Sequence, residues 1–505
     1  MFPAKDLQSL AVAVGLIVTL LCLVSVYRIF FHPLANIPGP FMAKITGEWR
    51  NSKYRKGNWH EDVLILHKKY GRVVRIAPNE VAVVDEHAMK NLYSHSHNAD
   101  KTNWYDIWNP PGGETSLFST TDRKIHNFLR KRLTQAYSMT SILTYEKHIQ
   151  GCIDLLLFKL GQNTPGQIVD MSSWTNALAF DVVGELAYGE QLGHLKTGTD
   201  VGGFRKDIFE AFAMLATIGH YRIIPVLLSS KTTAALLPPP FGDFLKWSEN
   251  KVKDRVAHLD EDTREDMLSR FCRMKNPDGT PVGFYDIFNE AMVLVGAGTD
   301  TTSAAMKACL YYLSINPKDY RLLQEEIDNF YEENKLGGEI MYLQTQQLPM
   351  LQAVIKESTR LFPSINFQLL RYAPENFVIR GHHIPAGTSV GISPIAQNRD
   401  PEIWGDDADE FRPGRWLQSE AQSKHFDSST MTFGGNGPRM CIGKNVALVE
   451  IYLFVAQFIR HFDFELPDPK NPWRVTSYWF SMQHDFNLKV TARKAGKFKI
   501  PNVTI

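Results

Sequence analysis

Phe433-Gly434-Gly435-Asn436-Gly437-Pro438-Arg439-Met440-Cys441-Ile442-Gly443 is the stretch whose reading decides the fold. It is a glycine-rich loop that delivers one cysteine to the start of an apolar run, residues 444–461, with helical spacing. Glycine permits positive φ and lets backbone approach a flat ligand closely. The N–H groups of such a loop and of a helix N-terminus favour negative charge on sulfur, so a lowered thiol pKa is expected. A thiolate is a soft, strong donor to iron. The chain has five cysteines, Cys22, Cys152, Cys272, Cys309 and Cys441, with no CxxC and no His pair at zinc spacing. That is not a secreted disulfide framework, and it points to a reducing compartment. The other four lie in apolar helical runs, the ordinary setting of a buried structural cysteine. Only Cys441 has the surroundings of a ligand.

Working outward, three further patterns fall on predicted helices. Ala297-Gly298-Thr299-Asp300-Thr301-Thr302 lies in the apolar stretch 286–313. Gly296 and Gly298 each cost about 1 kcal/mol relative to alanine inside a helix. A sequence that breaks the local rule there is expected to use the break. The reading is a local opening with room for dioxygen and a water beside hydroxyls and a carboxylate; an N-cap between two helices is the plainer alternative. Glu357 and Arg360, three apart, share a helix face and can pair. His126 and Arg130, four apart on a helix opened by Asp122, also share a face.

The rest of the 505 residues is 44% apolar and 22% charged, ordinary globular composition, and the net charge of +1 gives no general reason to bind nucleic acid. Residues 73–76 and 81–84 read as a hairpin around Pro78-Asn79-Glu80. Helical spacing dominates from 122 to 313 and continues at 318–331 and 350–361; short strands are expected at 377–379, 388–392 and 486–491. The fold class is mainly α with small β-sheets towards both ends, without a break in composition. Residues 7–27 carry no charge and are long enough to cross roughly 30 Å of hydrocarbon as a helix. Arg28, Lys44, Arg50, Lys53, Arg55 and Lys56 follow this span, which predicts that the body stays cytosolic. Pro33, Pro38, Gly39 and Pro40 make a stiff elbow after it. The expected division is an anchor, 1–31, and one catalytic domain, 32–505.

On the cysteine loop and these motifs the sequence resembles the cytochrome P-450 family, over nearly the whole chain, and is most similar to the microsomal type of filamentous fungi. The family's loop reads Phe-x-x-Gly-x-Arg-x-Cys-x-Gly. Gly437, Arg439, Cys441 and Gly443 match; Phe433 stands one residue early with Gly434 in its place, so a one-residue bulge is expected. The resemblance implies the P-450 fold, haem b with Cys441 as iron ligand, and His126, Arg130, Arg371 and Arg439 around the propionates. It implies that Thr301 hydrogen-bonds the oxygen species at the iron and that Asp300 relays protons. It makes Glu357 and Arg360 a buried lock with Arg415 of Pro413-Gly414-Arg415-Trp416.

The activity implied is insertion of one oxygen atom of O2 into a lipophilic small molecule, in fungal secondary metabolism, at the endoplasmic reticulum membrane by a single-pass protein. The sequence holds no GxGxxG after a strand, so the electrons need an outside source; the resemblance implies that they come from NADPH through a separate flavoprotein reductase. Its dock is expected where Arg130, Lys131, Arg132, Arg439 and Lys444 present positive charge. The pocket is expected from Trp104, Trp108, Leu117, Phe118, Phe209, Phe212, Met214, residues 364–369 and residues 478–480. Two rivals, a haem-thiolate isomerase or dehydratase and a non-catalytic haem sensor, are disfavoured by the Asp300–Thr301 pair.

Overall fold

A 32-residue helix, Phe284–Ile315, runs through the middle of the protein and positions the site. It is apolar on almost every side, which is the pattern of a helix buried all round. In the computed structural model, which describes residues 4–493 apart from 98, 110–114, 222, 229–241, 262 and 277, it packs along the helix Met171–Tyr188 and against Lys444–His461 and Pro349–Leu361. Residues 494–505, read with the catalytic domain, lie outside the described residues. These helices and Met139–Gly161 supply most of the largest core cluster, in which each fully buried Leu, Val or Phe contributes about 1.5–3 kcal/mol.

The central helix is continuous through its glycines, which corrects both the opening and the cap expected there. A Cβ on Gly296 would lie 2.6 Å from the Phe212 ring, and one on Gly298 would lie 3.1 Å from Val183. The glycines let neighbours approach; they do not break the helix. The Thr299 and Thr301 hydroxyls turn back and donate to the Val295 and Ala297 carbonyls, at 3.0 and 2.7 Å.

The strands tie the two ends of the chain together. Val73–Ala77 and Glu80–Val83 form the expected antiparallel hairpin, but Glu80–Val83 also pairs in parallel with Ser389–Ile392, which is flanked by Arg371–Tyr372. Gln167–Asp170, Asn487–Ala492 and Phe462–Glu465 make a second sheet, and Arg474–Ser477 with Ser481–His484 a hairpin beside the central helix. The sheets therefore join distant segments, which local periodicity does not reveal.

One helical stretch among the described residues, Ser9–Phe31, is long and apolar enough to cross a membrane, and none of it is buried against the protein. The elbow after it is strapped down. Leu34 and Ile37 are buried, and the fully buried Arg75 donates to the carbonyls of Arg28 (2.9 Å), Leu34 (3.3 Å) and Pro78 (2.8 Å). The Arg75 backbone N–H donates to Pro38, and a side chain on Gly39 would overlap the Arg75 carbonyl.

Candidate active site

The cysteine loop hangs from a buried ionic lock. Arg360 grips Glu357 through two bonds of 2.8 Å; Arg415 adds a third at 2.8 Å and the Trp416 indole N–H a fourth at 2.9 Å. Glu357, Arg360 and Arg415 have no accessible surface. Burial raises the Glu357 pKa, but the two arginines outweigh it and hold the carboxyl below its usual range. Arg360 also donates to the Asn398 carbonyl at 2.6 Å, and the Asn398 amide in turn takes Met431 N (2.8 Å) and holds Thr432 (3.1 Å), where the loop begins. The lock is mechanically continuous with the loop.

Gly434 and Gly435 adopt φ of +82° and +86°, a left-handed turn that takes up the extra residue expected from the sequence. Phe433 returns to the cysteine: its carbonyl accepts from Cys441 N at 3.0 Å. Gly437 is required for a different reason, since a Cβ there would overlap the Tyr93 carbonyl. Arg130 donates to the Met440 carbonyl at 2.6 Å, one residue from the sulfur. Cys441 keeps accessible surface although protein surrounds it, so it opens onto an internal cleft. Burial raises its thiol pKa, against the N–H groups of Gly443 and Lys444 and the charges of Arg130 and Lys444. The lowering expected from the helix N-terminus is present, but burial exceeds it.

Around the loop, cations gather, and among the described residues no buried carboxylate pairs with them. Arg371 bonds the Tyr105 hydroxyl (3.2 Å) and its own neighbour's carbonyl; Arg439 bonds the Thr120 (2.9 Å) and Thr121 (3.2 Å) carbonyls. Lys101, which the sequence reading did not select, is buried beside them, donates to the Phe118 carbonyl and lies 4.2 Å from the Tyr105 ring centroid. Burial, then Arg371 and Arg439, push the Lys101 pKa well below its ordinary value; burial, then Arg439, Lys101 and Arg130, bring His126 to about 4. Arg371 Nε, Arg439 Nε and His126 Nδ1 are buried and without a hydrogen-bond partner among the described residues. Buried polar groups are normally satisfied, so this set awaits an anion.

On the central helix, Val293, Ala297 and Thr301, four apart, keep accessible surface, while Leu294, Val295, Gly296, Thr299, Asp300 and Thr302 are buried. They present a stripe to a cleft inside the core. Asp300 is buried; its Oδ1 accepts from Asn176 at 2.9 Å and its Oδ2 has no partner among the described residues. Burial raises its pKa to about 6, opposed by Asn176, Lys307 and Arg205. Asn176, a lone amide in an apolar helix, is a partner the sequence reading missed. Trp104, Trp108, Phe118, Phe212, Trp479 and Phe480 form one aromatic cluster, with Trp104 to Trp479 at 4.9 Å and Trp108 to Phe212 at 5.4 Å. Ser364 donates to the Thr301 carbonyl at 2.7 Å. Phe209 pairs instead with Tyr478 and His484, and Met214 is exposed, so these two stand outside the cluster.

These residues fit iron protoporphyrin. A sulfur opens onto a cleft walled by an apolar helix stripe, and orphaned buried cations match a ligand with two carboxylates. Lys101→Met is expected to weaken haem retention roughly ten- to a hundredfold, the scale of one hydrogen bond to a charged group. In the same variant, haem-free protein should melt no lower than wild type, because a buried repulsion is gone. Haem transfer to apomyoglobin and thermal melts check both; unchanged retention overturns the assignment.

A sequence profile of the family described as Cytochrome P450 matches residues 37–490. The chain is 32% identical to the cytochrome P450 monooxygenase gsfF of Penicillium aethiopicum, covering 93% of this chain and 95% of the relative. It is 32% identical to the cytochrome P450 monooxygenase cicH of Emericella nidulans (94% and 97%) and 31% identical to a pisatin demethylase of Fusarium vanettenii (93% and 92%).

Proposed function

Since the chain belongs to the cytochrome P450 family, and is thereby an oxidoreductase of the monooxygenase kind, we propose that it inserts one oxygen atom of O2 into a bulky lipophilic metabolite of fungal secondary metabolism. Haem, when bound, supplies the activation of dioxygen. The chain's own residues do the rest. Cys441 binds the iron as thiolate. His126, Arg371, Arg439 and Lys101 hold the carboxylates of the cofactor, and Arg130 braces the carbonyl beside the sulfur. The aromatic cluster excludes water and seats an apolar substrate. Thr301 faces the cleft, and Asp300, one residue away, has its carboxyl raised by burial to about 6, where it can take up and release a proton just below neutral pH. What supports this reading most is the coincidence of an accessible cysteine with buried cationic side chains that have no hydrogen-bond partner among the described residues.

The test is spectroscopic and kinetic. Reduced full-length protein treated with carbon monoxide should show the red-displaced band of sulfur-bound ferrous haem, and NADPH and O2 should be consumed when reductase and a candidate substrate are added. Conversion without NADPH would make the protein an isomerase.

A separate NADPH-fed flavoprotein is the proposed electron source, and residues 1–31 are proposed as a single-pass anchor in the endoplasmic reticulum, leaving 32–505 in the cytosol as the catalytic domain. Of the five cations expected at the dock, Arg132 pairs with Asp286 at 3.0 Å, and Arg130 and Arg439 are turned inward to carbonyls. Lys131 is exposed, and Lys444, half-buried over the Phe433 ring at 5.4 Å, flanks the loop. Reversing both, Lys131→Glu with Lys444→Glu, should raise the KM for reductase at least several-fold at low salt and much less at high salt. Equal KM values at low salt would move the dock elsewhere.

A further inference from the structure

We propose that Lys307 is a positioning residue for Asp300, and that the buried polar seam holding both is where Asp300 exchanges its proton with solvent. The seam lies between the central helix, the helix Met171–Tyr188 and the hairpin of Arg474–Ser477 with Ser481–His484. The proposal rests on the reading of Asp300 as a proton carrier given above.

Lys307 has no accessible surface, in the middle of the core, and its ammonium donates one long bond of 3.4 Å, to the Gln483 carbonyl. Burying a charge costs several kcal/mol unless it is paired, and a methionine would fill the same space without that cost. Part of the compensation comes from the charges of Asp300 and Asp170. Residues 300, 303, 304 and 307 fall on one stripe of the helix, so the carboxylate and the ammonium sit two turns apart on the same side. Each acts on the other: burial pushes Lys307 down to about 8 while Asp300 and Asp170 push it back up, and Lys307 is among the groups that restrain the rise at Asp300.

The residues between them are polar and incompletely bonded. Ser303 and Thr175 share a hydrogen bond of 3.1 Å. The Gln483 amide donates to the Ala304 carbonyl at 3.0 Å, while its Oε1 and Asp300 Oδ2 have no partner among the described residues. Two free acceptors and an ammonium with spare N–H groups along one strip are the partners that buried water requires. Outward, the charged groups facing Lys307 are Asp170, the exposed cap of the helix Met171–Tyr188, Arg205 from the helix Phe204–Ile218, and His484 at the hairpin end; Asp485, the next residue in the chain, acts on His484. Asp170 and His484 bring the seam to the surface. A proton that Asp300 gives to the cleft is replaced by one from bulk water at that end, and no electron or further reactant takes part.

Infrared pH-difference spectra of the full-length, haem-loaded enzyme test this, the Asp300 acid band being identified by its loss in Asp300→Asn. Wild type should titrate with a midpoint near 6. Lys307→Met should raise the midpoint by a unit or more, a tenfold shift in the ratio of acid to carboxylate at fixed pH. It should also send a larger share of NADPH electrons to hydrogen peroxide. Lys307→Arg should restore both. An unmoved midpoint in Lys307→Met overturns the proposal. Should that variant not fold, a wild-type acid band persisting above about pH 8 overturns it equally. A shifted midpoint in a protein without the sulfur-ligated haem spectrum would keep the coupling and refute only the function.

Discussion

Cys441→Ser is expected to abolish NADPH-dependent substrate oxidation down to background and to remove the red-displaced carbonyl band entirely, while costing no more than about 1–2 kcal/mol of stability. The asymmetry follows from the surroundings of the sulfur. Its position is set by backbone bonds, Cys441 N to Phe433 O and Met440 N to Gly437 O, each 3.0 Å, which serine leaves intact. Its chemistry has no substitute: a hydroxyl is a hard, weakly acidic donor, and burial that already raises a thiol pKa disfavours an alkoxide still more. Urea melts report the fold, and carbon-monoxide spectra report the ligand. Retention of the band in the serine variant would mean that another residue holds the iron, and the whole assignment of the site would fall with it.

Glu357→Ala is expected to be the most destabilising single substitution of those considered, by about 3–5 kcal/mol. That is a large fraction of the 5–15 kcal/mol typical of a folded protein. Removing the carboxylate leaves Arg360 and Arg415 without their shared anion, in a place where neither has accessible surface, and leaves the Trp416 indole N–H unbonded. Glu357→Gln keeps the shape and loses the charge, and should lie between. The effect carries a pH signature. The folded pKa of Glu357 is depressed, so its contribution is fully present above the ordinary glutamate value of 4.5 and is lost as the pH falls through the lower folded value. The stability difference between wild type and Glu357→Gln should therefore narrow in acid. A difference below about 1 kcal/mol at neutral pH would show the lock to be dispensable.

The parts of the fold legible in the sequence are those set by local pattern. The helix Lys444–His461 begins and ends where the apolar spacing places it, and the hairpin around Pro78-Asn79 forms as its β-branched runs require. Glu357, Arg360 and Arg415 are brought together as the resemblance implied. What the sequence concealed depends on contact between distant segments. The parallel pairing of Glu80–Val83 with Ser389–Ile392 leaves no trace in either stretch alone. The glycines at 296 and 298 look like helix breakers because propensity counts only the helix; Phe212 and Val183, which explain them, lie about a hundred residues earlier. Lys101 gave no signal, because a lysine in a polar loop is ordinarily solvated, and its burial follows from the aromatic residues Tyr105 and Phe118 folding over it. Lys307 stands as one charge within a strong apolar run and gives no local signal. In both cases the informative fact is burial of a charge, which composition does not report.

The guanidinium of Arg75, clasping three carbonyls on either side of the elbow, fuses the start of the globule to the end of the N-terminal helix. With that helix seated in lipid, the enzyme would stand on the bilayer as a fixed bracket and not swing as a tethered float. Its tilt and its height above the headgroups would then be inherited from a few bonds in a region far from the iron, so that greasy molecules dissolved in the leaflet meet the same side of the protein every time.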